Sequence, residues 1–566
     1  MINKKFKKVV SMLLVGAMVV SMAACGKKGD DNNKGNQSKD GDNNNKVEAT
    51  KAPAPENEET VKSLAEYPKV DSFNYYSIGA GITDEEFNAL DLAKLVEDQT
   101  GYKVTYSQSP ADPMDAQTAI TNIFMLKQDY QAVKVGKDQF YTLLAMGALK
   151  PITKYIEGST NLKDQISEFG WGTASKDGEI YAIPQKNAFA STAVGICYRK
   201  DWLEEYNVAN PSAQIPVPSE ENGYSMSLTD YKTMLTYFAT KVPAGGYAMA
   251  VDTNVVYMEN ILPAFGIYHE WADINGQLTY VVNQPGFAEY AAYMEDLYDN
   301  GLILYQATSD DAGAVKSLQS RTAGAGRIAH WNAFAIETTN AKEGTDLSTY
   351  TDDSIGYISA LVPDDCKGDK SKVRVFAAEG YVYYTVIPNF ATEEQAAAYV
   401  DFADKKLDKD FFLKLVLGTE GDTYSIVDGQ YYPILPAFND KQGFSDKFID
   451  GTRENDYAAY WLCRVRKTAA QEKMFSQSNY NVGATGIQNP VTVMPPNEAY
   501  DTYYNAANIE VKNAIVISMF QKDVPFDLAA IQAKFDEYEG KAVTESVNNW
   551  YGSWDLKDQF NTVRAR

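Results

Sequence analysis

The spacing of apolar positions in this chain alternates between two periods, one typical of strands and one of helices. Phe73–Ile78 is a short apolar run that predicts a strand, and apolar residues three or four apart then predict a helix that ends at Gly101. Thr83 and Glu86 have the spacing of a capping box at the start of this helix. Lys103–Tyr106 predicts the next strand.

The same order continues further along the chain. Ala193–Tyr198 and Gly380–Ile387 predict further strands, and Thr392–Leu407 predicts a helix that opens with a second capping box. Strands that alternate with helices favour parallel-rich sheets covered by helices. The predicted fold class is therefore α/β.

The first residues have a different pattern. Four lysines precede Val9–Ala24, a run of apolar residues interrupted only by two serines. A charged start, a short apolar run and a small-residue exit are typical of a secretory signal, and the run is shorter than the roughly 20 residues that span a bilayer. We expect a signal peptide over 1–24. Residues 25–64 are rich in Asn, Asp, Gly, Lys and Pro, which predicts a disordered tether.

Cys25 follows the apolar run directly. The segment Met22–Cys25 resembles a bacterial lipobox, which implies that Cys25 carries lipid on sulfur and becomes the mature N-terminus. Two acyl chains anchor a protein stably, whereas one binds only marginally. The alternative is an ordinary signal peptide cleaved near Ala24, with Cys25 incidental.

Composition narrows the possible partners. The 566 residues are 45% hydrophobic and carry a formal net charge of -24. Removal of the signal peptide takes away four lysines and no acidic residue, so the mature chain is more negative still. Such a charge repels phosphate backbones and anionic lipid, so we expect no nucleic-acid partner and a membrane attachment that depends on Cys25.

Few residues are available for metal or nucleophilic chemistry. The chain has four cysteines and two histidines, and Cys197, Cys366 and Cys463 form no CxxC pair. We read neither His269 nor His330 as a metal ligand, and we expect no metal and no cofactor. No GxSxG, HExxH or P-loop motif is present, so we expect no enzyme. A surface glycoside hydrolase stays open as an alternative, because carboxylate separation is invisible in sequence.

Several motifs appear in a familiar order. DGEIYAIP followed by YRKDWL covers Asp177–Leu203, LYDNGLI covers Leu297–Ile303, and GRIAHW covers Gly326–Trp331. EGYVYYTVIPN and GTEGDTYSIVDGQYYPILPAF follow, ending at Phe438. In this order the chain resembles the extracellular solute-binding lipoproteins of ABC sugar importers, over about residues 70–555. Around Lys127–Val135 it departs from the family's usual proline-aspartate pattern.

The resemblance implies a two-lobed, periplasmic-binding-protein-like fold with a hinge and a ligand cleft between the lobes. We place lobe 1 at 65–190 plus 376–425 and lobe 2 at 191–375 plus 426–566. Crossings between the lobes are expected near Asn187–Thr192, Val373–Ala377 and Tyr424–Tyr432.

Candidate ligand residues follow from sugar chemistry, because a sugar needs flat aromatic faces and hydroxyl-binding polar groups. Trp331 follows a turn of small residues, Trp171 lies between glycines, and Trp271 lies in a predicted hairpin that could equally belong to the core. Glu379 and Tyr381 lie at the expected second crossing. The other tryptophans are expected to pack helices.

The predicted function is that of a lipid-anchored extracellular receptor which captures a carbohydrate, an oligosaccharide by the length of the chain, and delivers it to ABC permease subunits. We expect a monomer, at the outer face of a Gram-positive-type cell membrane. The same fold binding another solute, a peptide or a polyol, stays open.

Overall fold

The computed structural model describes residues 61–186, 192–251, 258–305, 311–377, 380–520, 526–558 and Phe560. Thr60–Arg566 form one compact unit. The strands, in chain order, are β1 Ser72–Ser77, β2 Lys103–Gln108, β3 Ala132–Gly136, β4 Ser175–Lys176, β5 Glu179–Ile180, β6 Ala182–Lys186, β7 Val194–Arg199, β8 Ser225–Ser227, β9 Tyr247–Val251, β10 Trp271–Ile274, β11 Gln277–Tyr280, β12 Ile303–Tyr305, β13 Ala323–Ala329, β14 Ile355–Ile358, β15 Ala360–Val362, β16 Val375–Phe376, β17 Tyr381–Val386, β18 Tyr424–Val427, β19 Gln430–Pro433 and β20 Gly486–Ile487.

Helices cover both faces of the larger sheets. In chain order they are α1 Asp84–Asn88, α2 Asp91–Thr100, α3 Pro113–Met125, α4 Lys137–Ala145, α5 Thr153–Glu157, α6 Asn161–Gln165, α7 Glu168–Thr173, α8 Lys200–Ala209, α9 Leu228–Ala239, α10 Phe287–Asp299, α11 Asp311–Gln319, α12 Ala333–Glu337, α13 Glu393–Lys406, α14 Lys409–Leu417, α15 Ala437–Gln442, α16 Tyr457–Val465, α17 Ala469–Asn479, α18 Val482–Thr485, α19 Glu498–Phe520, α20 Leu528–Glu537 and α21 Gly540–Ser553. Short 3₁₀ helices lie at Leu64–Glu66, Leu262–Phe265, Val281–Asn283, His330–Asn332, Thr338–Asn340, Asp364–Cys366, Lys370–Lys372, Ser445–Lys447 and Pro490–Val493.

Local signals explain how the first helices form. Thr83 Oγ1 accepts a hydrogen bond from the Glu86 amide at 3.2 Å, and Glu86 Oε2 accepts from the Thr83 amide at 2.8 Å. This confirms the predicted capping box. The predicted single helix is divided into α1 and α2, because Leu90 is extended. Gly101 ends α2 with φ 77°, a left-handed conformation that glycine adopts without a Cβ penalty.

Two five-stranded sheets each define a lobe. Their strand orders are equivalent when β17 and β7 are matched to each other. The first sheet, of lobe 1, is ordered β2-β1-β3-β17-β6, and the second, of lobe 2, is ordered β12-β9-β13-β7-β14. In each sheet one strand is antiparallel to its neighbours: β17 in the first and β7 in the second. β17 and β7 are each the strand that the chain forms after it crosses from the other lobe.

Alternate residues of the strands pack into cores on opposite faces of each sheet. Tyr75 and Tyr76 enter the two cores of lobe 1, and Ile196 and Cys197 enter the two cores of lobe 2. This alternation is the period of two that a sheet covered on both sides requires.

The segment after residue 425 packs differently from the prediction. Phe438, Phe448 and Tyr460 are 0–4% exposed in the same core as the first sheet, and the β18–β19 hairpin adds Tyr424 to that core. The chain passes to lobe 2 between α16 and α17, where Met474 enters a core of the second sheet. The predicted third crossing near residues 424–432 is therefore wrong, since apolar residues as far as α16 complete lobe 1.

The C-terminal part of the chain contacts both lobes. Val491 belongs to a core of lobe 2 and Val493 to a core of lobe 1. Helices α19, α20 and α21 pack on lobe 2. Trp554, which directly follows α21, contacts Phe169 of α7 in lobe 1, with ring centroids 6.0 Å apart. The lobes are thus joined by side-chain packing as well as by the crossings.

Candidate functional site

The carboxyl edges of the two sheets face each other. In the first sheet the parallel strands end at this edge and β17 begins there, and in the second sheet β7 begins where β9, β13 and β14 end. β6 ends with Lys186 at one edge and β7 begins with Val194 at the other, so two strands that follow each other in the chain place the edges near each other. Ligands of open α/β sheets bind outside the carboxyl ends of the strands, and clefts between lobes are favoured sites.

Trp331 is an exposed large side chain at this edge of lobe 2. It lies in the short 3₁₀ helix His330–Asn332 after β13, the strand formed by the small residues for which a turn was predicted, and it is 55% exposed. Its backbone is held in place, because the amide of His330 donates to the Ala193 carbonyl at 2.9 Å, and Gln471 Nε2 donates to the Trp331 carbonyl at 3.5 Å. A flat aromatic face fixed at the cleft can stack on the apolar face of a ligand.

An aromatic cluster supports Trp331 from behind. The imidazole of His330 lies edge-on to the rings of Trp331, Trp461 and Phe475, with centroids 5.1, 6.0 and 5.2 Å apart. Burial lowers the pKa of His330, so the ring is neutral at pH 7. Trp461 belongs to α16 of lobe 1, and this cluster therefore lies where the two lobes meet.

Trp461 is a site candidate, although it is one of the tryptophans expected only to pack helices. It packs against the core of lobe 1, as expected, but it is half-buried and lies beside the aromatic cluster at the cleft. Its position depends on how α16 packs against α17, which no local pattern of the sequence indicates.

A polar cluster forms the corresponding edge of lobe 1. Glu454 Oε1 accepts a hydrogen bond from Tyr381 at 2.9 Å, and its other oxygen lies 3.5 Å from Nζ of Lys186. Ser167 lies 3.0 Å from the same tyrosine hydroxyl. Burial and the nearby carboxylate raise the pKa of Tyr381. Lys186 ends β6 and Tyr381 begins β17, so Glu454 links the two strands at the cleft edge.

The predicted site residues separate into different environments. Trp331 lies at the cleft, Tyr381 is 5% exposed within the polar cluster, and Trp171 in α7 is half-buried against lobe 1. Glu379 and Cys25 lie outside the described residues.

Trp271 is a core residue, and the prediction of a ligand contact is corrected. Its side chain is 0% exposed, and its ring lies 5.4 Å from Tyr280 and 6.0 Å from Tyr504. The β10–β11 hairpin turns its aromatic side toward α19, so no face of the indole is open to a ligand. Arg199 and Asp201 form a local ion pair, with Nε of Arg199 donating to Asp201 at 2.8 Å.

The described ranges contain no group of three or more His, Cys, Asp or Glu side chains arranged to hold a metal ion. Among the same residues, no helix has both the length and the apolar character needed to cross a membrane.

Comparison with known proteins agrees with this geometry. Residues 86–446 match the family model of bacterial extracellular solute-binding proteins. A protein of Niallia circulans, described by its position in the butB 5' region, is 28% identical over 274 residues, which are 46% of this chain and 98% of the relative.

Solved structures show the same fold at low sequence identity. An extracellular solute-binding protein from Bifidobacterium longum subsp. infantis is 16% identical with a TM-score of 0.61, covering 85% of this chain and 98% of its own. The S. pneumoniae ABC-transporter substrate-binding protein FusA, in complex with kestose, is 14% identical with a TM-score of 0.59, covering 85% and 99%. These likenesses confirm the predicted two-lobed α/β fold.

The family model covers more than half of the chain, and the two sheets have the order and the facing edges that an interlobe site requires. This chain belongs to the family of bacterial extracellular solute-binding proteins, and it is a binding protein rather than an enzyme.

Proposed function

We propose that this protein is a receptor which captures a carbohydrate between its two lobes and delivers it to an ABC permease. Trp331 carries the proposal. An indole that is 55% exposed at the cleft edge, backed by a buried aromatic cluster, offers the flat apolar surface on which a sugar ring stacks.

The polar groups around this indole complement the hydroxyls of a sugar. The cluster of Lys186, Glu454 and Tyr381 places donors and acceptors at the opposite edge of the cleft. Its cation and its carboxylate balance each other, which favours a neutral ligand over a charged one.

Two structural neighbours support a saccharide ligand. The S. pneumoniae protein is described in complex with kestose. A second protein, from Bifidobacterium longum infantis, is described as HMO-binding; it is 14% identical with a TM-score of 0.61 and covers 85% of this chain and 98% of its own. We extend this ligand class to the present chain and infer an oligosaccharide.

The N-terminal residues complete the proposal. Residues 1–24 direct export, Cys25 carries the lipid, and residues 25–64 tether the lobes to the outer face of a Gram-positive-type membrane. Cys25→Ser is expected to release the protein from the membrane fraction into the medium. Retention of Cys25→Ser in the membrane fraction would contradict lipid anchoring and leave the cleft proposal untouched.

Thermal unfolding of the chain from residue 26 tests the ligand class. Neutral oligosaccharides, short peptides and polyols are screened in parallel, because a compound that binds only the folded state raises its stability. A rise in melting temperature with oligosaccharides alone is the expected result. A rise with peptides or polyols alone, or with no compound of a broad panel, would contradict the proposal.

A further inference from the structure

Three residues of α17 form a stripe along the helix beside Trp331. Gln471, Phe475 and Asn479 are spaced four residues apart, which places them on one face. We call these three residues the α17 stripe. Nε2 of Gln471 donates to the Trp331 carbonyl at 3.5 Å, and the ring of Phe475 lies 5.2 Å from the imidazole of His330. The stripe thus contacts Trp331 and the residue before it.

Asn479 holds the residues that lead into β7. The amide of Thr192 donates to Oδ1 of Asn479 at 2.8 Å, and Nδ2 of Asn479 donates to the Thr192 carbonyl at 2.9 Å. Nδ2 also donates to the Phe475 carbonyl, one turn earlier in α17, at 3.0 Å. β14 pairs with β7 from Arg199 to Ile196 only, so Thr192 lies beyond that pairing. The side-chain amide of Asn479 takes the place of a neighbouring strand there.

Ala193 joins this segment to the strand that precedes Trp331. Its carbonyl accepts a hydrogen bond from the His330 amide at 2.9 Å, which extends the antiparallel pairing of β7 and β13 by one residue. Thr192 is 6% exposed, and buried peptide groups need partners within the protein. A path of hydrogen bonds therefore leads from Asn479 through the backbone before β7 to the residue before Trp331.

The helix that carries the stripe is itself fixed to both lobes. In lobe 2, Nζ of Lys473 donates to the carbonyls of Asp352 and Ile355 at 3.0 and 3.1 Å. In lobe 1, the ring of Trp461 lies 5.7 Å from that of Phe475. The α17 stripe is therefore a supported surface against which the backbone beside Trp331 is held.

We propose that Asn479 is a positioning residue for Trp331, which holds the backbone that carries the indole so that the ring keeps one orientation at the cleft. A side chain that a ligand stacks on binds more tightly when it is ordered beforehand, because ordering it on binding costs affinity. Without the Asn479 amide, Thr192 and Ala193 lose their support and the indole samples more orientations. The inference rests on the proposed function, since it takes Trp331 as the stacking surface.

Asn548 provides a matched control, because it makes the same three hydrogen bonds at the β10–β11 hairpin instead of beside Trp331. Its Oδ1 accepts from the Leu278 amide at 2.8 Å, and its Nδ2 donates to the carbonyls of Leu278 and Thr544 at 2.9 and 3.0 Å. Both asparagines are half-buried and lie in helices. Asn548→Ala and Asn479→Ala therefore remove the same bonds from two different places.

The first test needs no ligand. The chain from residue 26 is labelled with fluorotryptophan, and the fluorine resonance of Trp331 is the one that disappears in Trp331→Phe. We expect Asn479→Ala to broaden this resonance about twofold, because an indole that exchanges between orientations gives a broader line. Asn479→Asp keeps the shape of the side chain but loses both donated hydrogen bonds, so it should broaden the resonance as well. Asn548→Ala should lower the melting temperature by a similar amount and leave the Trp331 resonance unchanged.

The second test measures affinity by calorimetry, for the neutral oligosaccharide that raises the melting temperature most. Asn479→Ala should weaken binding about 3–10-fold, and Asn548→Ala should not weaken it. In a Trp331→Ala background, Asn479→Ala should have no further effect, because Asn479 acts through the indole.

An unchanged Trp331 resonance in Asn479→Ala would overturn the proposal, and so would an equal broadening in Asn548→Ala. If Asn479→Ala does not fold, an unchanged resonance in Asn479→Asp decides against it. A further loss of affinity in the Trp331→Ala background would show that Asn479 acts by another route, which also overturns it. If no oligosaccharide binds, the proposed function fails, and the fluorine comparison still decides whether Asn479 positions the indole.

Discussion

The carboxylate of Asp450 lies against the ammonium group of Lys406 in the core of lobe 1, where the two side chains are 0% and 2% exposed. Asp450 also accepts a hydrogen bond from Thr385 at 3.0 Å, and Lys134 donates to the neighbouring Ile449 carbonyl at 2.7 Å. Burial alone would raise the pKa of Asp450, yet Lys406 and Lys134 hold it below the usual range. The segment between α15 and α16 is thereby tied to the first sheet.

Asp450→Ala is expected to destabilise the protein by about 3–5 kcal/mol, because it leaves the buried Lys406 ammonium without its carboxylate. Chemical denaturation followed by tryptophan fluorescence measures the loss. Asp422→Ala is the matched control, because its partner Lys441 and Asp422 itself are each 48% exposed, and such a pair contributes only about 0–1 kcal/mol. Equal losses in the two variants would contradict the role assigned to Asp450.

Glu454 and Tyr381 are expected to be energetically coupled at the cleft edge of lobe 1. Glu454→Ala removes the acceptor of a tyrosine hydroxyl that is mostly buried, which costs about 1–3 kcal/mol. Unfolding of Glu454→Ala, Tyr381→Phe and the double variant gives the coupling energy, and we expect about 1 kcal/mol. Strictly additive losses would show that the hydrogen bond contributes nothing to stability.

The pH dependence of stability should report the imidazole of His269. Burial lowers its pKa to about 4, whereas an unfolded histidine titrates near about 6.5. Between these values the unfolded chain binds the additional proton, so stability falls as the pH is lowered from about 6.5 to about 4. Melting temperatures over this range should fall less steeply for His269→Phe than for the unaltered protein. Parallel curves would contradict a buried, neutral imidazole.

The sequence predicted helices and strands correctly where residues close together in the chain determine them. The capping boxes at Thr83 and Thr392 form as their spacing predicts, and the strand runs became β1, β2, β7 and β17. The third crossing was misplaced, because Phe438 and Tyr460 reach the core of lobe 1 by long-range packing, which has no local signature.

A site residue was predicted correctly only where residues close to it in the chain determine its exposure. Trp331 lies exposed at the cleft, just beyond β13, which is the strand that its small residues form where a turn was predicted. Trp271 lies in a hairpin, as predicted, but α19, more than 200 positions further along the chain, packs over its ring. Trp461 and Glu454 reach the cleft through tertiary packing alone, so no motif could have marked them.

Calorimetric titration of Trp331→Ala tests the central claim most directly. The ligand is the neutral oligosaccharide that raises the melting temperature most, and the control is Met125→Ala, an exposed residue at the end of α3 that leads away from the cleft. We predict that Trp331→Ala binds about 10–100-fold more weakly, that Trp331→Phe recovers part of the affinity, and that Met125→Ala binds as the unaltered protein does. An affinity of Trp331→Ala within about twofold of the unaltered protein would contradict a carbohydrate site at this edge of the cleft.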